Sequence, residues 1–204
     1  MKGVFVTGTD TNVGKTVVSA WLVYHLKADY WKPVQAGLAD GTDAETVRRL
    51  AGLGPGRIHP SAYELNAPLS PHEAARLDGV DIRLERIVPP RATRPLVVEG
   101  AGGLLVPLNK DHFIIDLIAL CKLPVLLVSR TGLGTINHTL LSLDAMRRRG
   151  ISIAGVVLNG PENPGNRRAI EEFGRVTVIA ALPPLDPLNE SALAALPLDG
   201  DLLS

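Results

Sequence analysis

The chain has 204 residues, with 21 Lys or Arg and 21 Asp or Glu, so its formal net charge is +0. The length predicts one domain spanning residues 1–204, which needs neither disulfides nor a structural metal to fold. The balanced charge argues against a nucleic-acid partner or a polybasic membrane binder, because both depend on excess positive charge. With one cysteine, no recognisable signal peptide and no apolar stretch long enough for a membrane span, a cytoplasmic protein is expected.

Short apolar runs alternate with helix-like segments along the chain. The runs predict strands over residues 4–7, 30–34 (the weakest), 96–99, 125–129, 153–158 and 176–180. Helices are predicted over residues 16–27, 43–50, 71–77, 84–87, 113–121, 137–149 and 166–173. Runs that are apolar throughout suit parallel strands buried on both faces. The pattern indicates an α/β fold with a mostly parallel, doubly wound sheet and helices on both faces. The Pro- and Gly-rich segment 52–81 predicts an excursion from the core, and the tail after Pro183 a loop.

The strongest chemical signal follows the first predicted strand, where Gly8 to Thr16 read GTDTNVGKT. Glycines let backbone N–H groups turn inward around phosphate oxygens, and the helix that follows adds unpaired N–H groups. Lys15 can reach the β- and γ-phosphates, and the Thr16 hydroxyl can bind Mg²⁺. Five residues separate Gly8 from Gly14, whereas the standard motif has four, which points to a subgroup of P-loop NTPase-like proteins.

Three more charged residues stand near ends of predicted elements. Glu99 ends a strand and is followed by the glycine-rich residues 100–103; ligands collect at such strand ends, and a carboxylate there can hold Mg²⁺. Lys32 follows the weak second strand and can stabilise charge on a transferred phosphoryl group, although its position fits a surface lysine equally well. Asp43 begins a helix, where an acid that only favours the helix dipole is an equal alternative.

Seven motifs follow one another from residue 3 to about residue 185: GTDTNVGKT, KPVQAG, TDAE, PLSPHEAA, VEGAGG, GTINHTLLSL and GVVLNG. In order and spacing the chain resembles the dethiobiotin synthetases. The resemblance implies an ATP- and Mg²⁺-dependent cyclo-ligase that joins CO2 (or bicarbonate) to 7,8-diaminononanoate, also called 7,8-diaminopelargonate. It implies a carbamate, its phosphorylation to a carbamic–phosphoric anhydride, and ring closure to dethiobiotin with release of ADP and phosphate. It also implies a homodimer.

The resemblance assigns roles by position. Lys32 and Lys15 are the expected catalytic residues, and Thr16, Asp43 and Glu99 the expected Mg²⁺ ligands. Residues from several loops and strand ends are expected to bind the nucleotide: Asn12, Val13, Gly14, Lys15, Thr16, Val17, Asp43, Glu99, Gly100, Ala101, Gly102, Asn159, Gly160, Pro183, Pro184 and Leu185. The diamine is expected at Thr11, Lys32, Ala36, Gly134, Thr135, Ile136 and Asn137. The last four are expected to reach its carboxylate from the partner subunit, because a helix N-terminus suits an anion.

Two positions depart from the family pattern. Ala36 stands where many relatives carry Ser or Thr, so no side-chain hydroxyl can contact the diamine there. Asn12 stands where some relatives carry Glu, which argues against a carboxylate role at that position. The short chain after Leu185 leaves the preferred nucleotide open. His138 is interpreted as an orienting or capping residue at a helix start, not as a catalyst.

Two other functions compete with this interpretation. A related P-loop ligase or amidase-type synthetase would need a separate glutamine-hydrolysing domain with a nucleophilic cysteine, for which the chain is too short. A partition-type ATPase would carry an additional lysine early in the loop, whereas Lys15 is the only lysine between Gly8 and Thr16. Product formation from diamine, bicarbonate and ATP distinguishes all three.

Overall fold

A parallel β-sheet forms the centre of the protein. The computed structural model describes residues 2–198, 200 and 202. Its strands are β1 (Gly3–Gly8), β2 (Asp29–Trp31), β3 (Val34–Ala36), β4 (Ile58–His59), β5 (Tyr63–Leu65), β6 (Leu96–Gly103), β7 (Val125–Arg130), β8 (Ile153–Asn159) and β9 (Val178–Leu182). Seven of them form one sheet in the order β4-β2-β6-β1-β7-β8-β9, in which every neighbouring pair is parallel. Strands β3 and β5 form a separate parallel pair.

Helices cover both faces of the large sheet. They are α1 (Lys15–Leu26), α2 (Asp43–Leu50), α3 (Pro71–Asp78), α4 (Ile114–Cys121), α5 (Thr135–Arg148), α6 (Pro164–Gly174) and α7 (Glu190–Ala194). One apolar cluster packs α1, α2 and α7 on one face, and a second packs α3 to α6 on the other. The predicted doubly wound α/β fold is confirmed. No helix among the described residues is long and apolar enough to cross a bilayer.

Local sequence signals explain where the helices beside the site begin. Helix α2 starts with a capping box, in which the Thr42 hydroxyl accepts from the Glu45 N–H and the Glu45 carboxylate accepts from the Thr42 N–H. Helix α1 starts directly after Gly14, whose left-handed conformation (φ 92°) ends the loop. Because both helices start at the same edge of the sheet, Thr16 and Asp43 face each other.

The prediction of one strand over residues 30–34 was wrong. Pro33 has no N–H to donate to a ladder, so pairing with β6 ends at Trp31. The chain then leaves the large sheet, and β3 pairs with β5 instead. Lys32 therefore lies at the carboxyl end of β2, at the point where the two strands separate.

Other boundaries differ for similar local reasons. The excursion 52–81 contains β4 and β5 as well as the predicted helix, because β4 pairs with β2 and β5 pairs with β3. Residues 84–87 form only a 3₁₀ turn, Leu84–Arg86. Helix α5 begins two residues earlier than predicted, after the left-handed Gly134. The tail is not all loop, because Asn189 caps α7 and Leu193 is buried against the core.

Candidate active site

The loop between β1 and α1 is held in a turn that only particular residues permit. Asn12 and Gly14 both have left-handed backbones, with φ of 57° and 92°. A Cβ on Gly14 would lie 2.0 Å from the Asn159 amide nitrogen, so the position requires glycine. That nitrogen donates to the Val13 carbonyl oxygen over 3.1 Å. The end of β8 therefore braces the loop from behind.

Lys15 lies beneath the loop with few anionic partners. Its side chain is 7% exposed, and its ammonium donates to the Asp10 carbonyl oxygen over 2.8 Å. Burial lowers the pKa of Lys15 to about 8; Lys32 acts in the same direction, while Glu99 and Asp43 oppose the shift. A buried ammonium whose charged form is disfavoured gains most from an incoming anion. The loop therefore carries a cation suited to a phosphate.

Lys32 is the centre of a second cluster, in which its charge is balanced by two carboxylates. Its ammonium forms ion pairs with Asp43 Oδ2 and, over 3.1 Å, with Glu99 Oε1. The Thr16 hydroxyl oxygen lies 2.6 Å from Asp43 Oδ1 and 3.0 Å from Glu99 Oε1. Burial alone would lower the pKa of Lys32, but the two carboxylates outweigh it and raise that pKa. Burial would likewise raise the pKa of Asp43, and Lys32 lowers it instead.

The same cluster contains the oxygen atoms that suit Mg²⁺. Thr16, Asp43 and Glu99 contribute a hydroxyl and two carboxylates, and hard oxygen donors are the ligands that Mg²⁺ prefers. The described part of the chain has no group of three or more His, Cys, Asp or Glu residues able to hold an ion. Mg²⁺ sites usually combine one or two carboxylates with waters and substrate phosphates. The donor set fits a magnesium ion bound together with a nucleotide.

These groups open onto one cleft of about 840 Å³. Eleven residues predicted for the site line it, namely Thr11, Asn12, Gly14, Lys15, Thr16, Lys32, Ala36, Asp43, Glu99, Ala101 and Gly102. The sequence prediction missed six lining residues, Gln35, Pro68, Leu69, Ser70, Pro71 and Val106. Four of the six, residues 68–71, belong to the PLSPHEAA motif, so a signal existed although it assigned them no role.

The remaining predicted residues lie outside the lining of this cleft, within the part of the chain that the structure describes. Val13 is a buried residue of the loop, Val17 is half-buried on α1, and Gly100 lies on the buried part of β6. Asn159 and Gly160 stand at the end of β8, and Pro183, Pro184 and Leu185 follow β9. Gly134, Thr135, Ile136 and Asn137 form the start of α5. Their roles stay predictions.

Two buried residues that the sequence did not single out hydrogen-bond the two acidic residues of the site. The Tyr30 hydroxyl donates to Glu99 Oε2 over 2.9 Å. The Gln35 side-chain oxygen accepts from the Asp43 backbone N–H over 3.2 Å. Both side chains are nearly inaccessible to solvent. Tyr30 therefore holds the Glu99 carboxylate itself, whereas Gln35, which also lines the cleft, holds the backbone of Asp43 at the start of α2.

The parallel sheet, the Gly-Lys-Thr loop after its first strand and the carboxylate on the adjacent β6 define a P-loop nucleotide-binding protein. The fold is shared with the ParA family ATPase from Chlorobium tepidum TLS, at a TM-score of 0.57 and 14% identity over 95% of this chain and 88% of that one. A family model described as an AAA domain matches residues 2–192.

Sequence relatives narrow the class to one family. The ATP-dependent dethiobiotin synthetase BioD of Paramagnetospirillum magneticum is 57% identical over 97% of this chain and 95% of its own. The ATP-dependent dethiobiotin synthetase BioD of Afipia carboxidovorans is 55% identical over 93% of this chain and 91% of its own. The chain belongs to the ATP-dependent dethiobiotin synthetase family, which confirms the resemblance predicted from its motifs.

Proposed function

We propose that this chain converts 7,8-diaminononanoate, CO2 and ATP into dethiobiotin, ADP and phosphate, as a single cytoplasmic domain. The observation that carries the proposal is that both family lysines and all three expected metal ligands converge on one cleft. They do so in a chain 57% identical to a named dethiobiotin synthetase.

The reaction needs positioned cations more than a strong base. One amine nitrogen of the diamine attacks CO2 and loses a proton, which gives a carbamate. A carbamate oxygen then attacks the γ-phosphorus and ADP leaves, giving the mixed anhydride. The second amine attacks the carbamoyl carbon, expels inorganic phosphate and loses a proton as the ring closes. Anionic groups accumulate at every stage, so fixed ammonium groups and backbone N–H donors stabilise the charge.

Each part of the cleft has a role in this proposal. The loop N–H groups and Lys15 bind the triphosphate, and an arriving phosphate replaces the Asp10 carbonyl as the partner of the Lys15 ammonium. Thr16, Asp43 and Glu99 would hold Mg²⁺, which neutralises charge on the phosphate oxygens when bound. Lys32 pairs with Asp43 and Glu99, and the Thr16 hydroxyl contacts the same two carboxylates. The Lys32 ammonium is therefore placed to steady the carbamate and the transferring phosphoryl group.

The diamine carboxylate is proposed to bind at the start of α5 in the partner subunit of a homodimer. Gly134 and Asn137 are exposed, and Leu133 beside them is fully exposed. These residues do not line the cleft of their own chain. A helix N-terminus offers unpaired N–H groups to an anion, and a two-fold dimer would bring it to the neighbouring cleft.

Neither competing function has an observation in its favour. The likeness to a ParA family ATPase is at 14% identity and extends to the fold alone. A glutamine-hydrolysing reaction needs a reactive thiol, but the only cysteine, Cys121, is 7% exposed and burial raises the pKa of its thiol to about 12. A thiol with that pKa is a poor nucleophile at neutral pH.

The direct test is an assay with purified protein, 7,8-diaminononanoate, bicarbonate, Mg²⁺ and a panel of nucleoside triphosphates. The expected result is stoichiometric dethiobiotin and ADP, with no ADP in the absence of the diamine beyond a slow background. ATP hydrolysis that is indifferent to the diamine, or that is stimulated by DNA instead, would refute the proposal.

A further inference from the structure

We propose that Tyr30 is a positioning residue whose hydroxyl fixes the orientation of the Glu99 carboxylate and so determines which oxygen that carboxylate presents to the metal and to Lys32. The inference rests on the proposed function, because the metal and the transferred phosphate belong to that reaction. Tyr30 does not line the cleft, so it acts through Glu99 and not on the substrate.

Strand register explains why the Tyr30 side chain reaches this carboxylate. Tyr30 of β2 lies opposite Val97 of β6 in the parallel ladder. Both side chains pack into the apolar cluster that contains α1 and α2, so they share one face of the sheet. Side chains alternate between faces, and therefore Glu99, two residues beyond Val97, also lies on that face. The Tyr30 hydroxyl therefore comes within 2.9 Å of Glu99 Oε2.

The two oxygens of Glu99 have separate partners. Oε2 accepts from the Tyr30 hydroxyl over 2.9 Å. Oε1 is shared by the Lys32 ammonium, at 3.1 Å, and the Thr16 hydroxyl, at 3.0 Å. Because Tyr30 is 0% exposed and Glu99 is 1% exposed, water has little access to the bond between them. A rotation of the carboxylate would leave a buried oxygen without a donor, which is costly. The tyrosine therefore keeps Oε1 turned toward the cleft.

The hydroxyl can act only as a donor in this arrangement. Burial, followed by the charge of Glu99, raises the pKa of Tyr30 well above its ordinary value. An ionised carboxylate can only accept hydrogen bonds, so the Tyr30 hydroxyl is the donor in its bond with Glu99 Oε2. Its contribution is geometric.

The perturbation is Tyr30→Phe, which keeps the ring and removes only the donor. Hydrogen bonds to metal-binding side chains typically affect metal affinity or activity by about 10–100-fold. For a single hydrogen bond we expect the affinity of the protein–ADP complex for Mn²⁺, used in place of Mg²⁺, to fall about tenfold. The KM for the diamine and the affinity for ADP without metal should stay unchanged, because neither ligand contacts Tyr30.

Mn²⁺ binding followed by electron paramagnetic resonance measures the affinity without turnover. Tyr63→Phe is the matched control, because it removes a hydroxyl that hydrogen-bonds the Arg83 backbone N–H over 3.0 Å, away from Glu99. We expect Tyr63→Phe to bind Mn²⁺ like the unaltered protein. Equal Mn²⁺ affinity in Tyr30→Phe and Tyr63→Phe would overturn the proposal.

A second pair of variants covers the case in which Tyr30→Phe does not fold. Glu99→Gln replaces the charged acceptor with a neutral amide, so the loss of the tyrosine hydroxyl should then matter little. We expect Tyr30→Phe to cause no further change in Mn²⁺ affinity in the Glu99→Gln background, and the double variant to fold. If the double variant also fails to fold, or if Tyr30→Phe weakens Mn²⁺ binding equally in both backgrounds, the hydroxyl does not act through Glu99. Since binding to the ADP complex requires no diamine, these outcomes are independent of whether dethiobiotin is formed.

Discussion

Removing the ammonium of Lys32 tests whether its ion pairs with Asp43 and Glu99 stabilise the folded protein. In Lys32→Met the aliphatic stem is kept, but the carboxylates of Asp43 and Glu99 lose their shared cation. Breaking a buried ion pair by removing one partner typically costs about 3–5 kcal/mol. Because the Asp43 side chain is 30% exposed, part of its charge remains solvated and we expect the lower end, about 3 kcal/mol. At about 2–4 °C per kcal/mol for a chain of this size, the melting temperature should fall by about 6–12 °C.

Lys15→Met is the matched control for this experiment. Burial lowers the pKa of Lys15 to about 8, which means that its ammonium loses more hydration energy in the folded protein than its neighbours return. Its removal should leave stability unchanged or slightly increase it, although both variants should lose turnover. A Lys32→Met protein with the same melting temperature as the unaltered protein at neutral pH would contradict a stabilising role for the ion pairs of Lys32.

The difference in stability between the unaltered protein and Lys32→Met should change with pH in a definite direction. The lowered pKa of Asp43 gives stability that is fully present above its ordinary pKa of 3.8 and is lost as the pH falls through the lower folded value. In Lys32→Met that shift disappears, because the cation that lowers the pKa of Asp43 is gone. The stability difference should therefore shrink as the pH falls from about 7 to about 3. Urea denaturation at both values measures it, and a constant difference would refute the argument.

Three further outcomes follow from the site. Because phosphate binding must raise the low pKa of Lys15, the affinity for ATP should decrease as the pH rises through about 8. Calorimetry in buffers of different ionisation enthalpy should then show that ATP binding takes up protons, and the absence of proton uptake would contradict this. Gly14→Ala should weaken nucleotide binding at least about tenfold, since its Cβ would lie 2.0 Å from an amide nitrogen at a φ of 92°, whereas Gly54→Ala, with open space around it, should bind normally. In a two-fold dimer with shared sites, mixing the inactive variants Lys32→Met and Asn137→Glu should restore about a quarter of the activity; no recovery after subunit exchange would contradict a shared site.

The sequence predicted those parts of the site that one continuous segment encodes. The phosphate loop is such a segment, because its glycines, lysine and threonine act within nine consecutive residues between one strand and one helix. The strands of the sheet centre were predictable as well, since a strand buried on both faces is apolar throughout. Family resemblance added Lys32 and Asp43, for which position alone left equal alternatives.

Features that depend on strand register were not predictable in the same way. The bond from Tyr30 to Glu99 joins residues 69 positions apart and exists only because β2 pairs with β6 in one particular alignment. The cleft wall at residues 68–71 reaches the site through an excursion with no clear period. Pro33 is visible in the sequence as a residue without an N–H. That it ends the pairing of β2 follows only when β6 is known to be the partner strand.

The most direct test is a crystal structure of the protein with Mg²⁺, a non-hydrolysable ATP analogue and the diamine. The central claim predicts the triphosphate against the loop from Gly8 to Thr16, with the Lys15 ammonium moved from the Asp10 carbonyl onto phosphate oxygens. It also predicts the Lys32 ammonium directed at the terminal phosphorus or the substrate amine. A triphosphate bound elsewhere, or a Lys32 side chain that points away from the terminal phosphate in the loaded site, would contradict the claim.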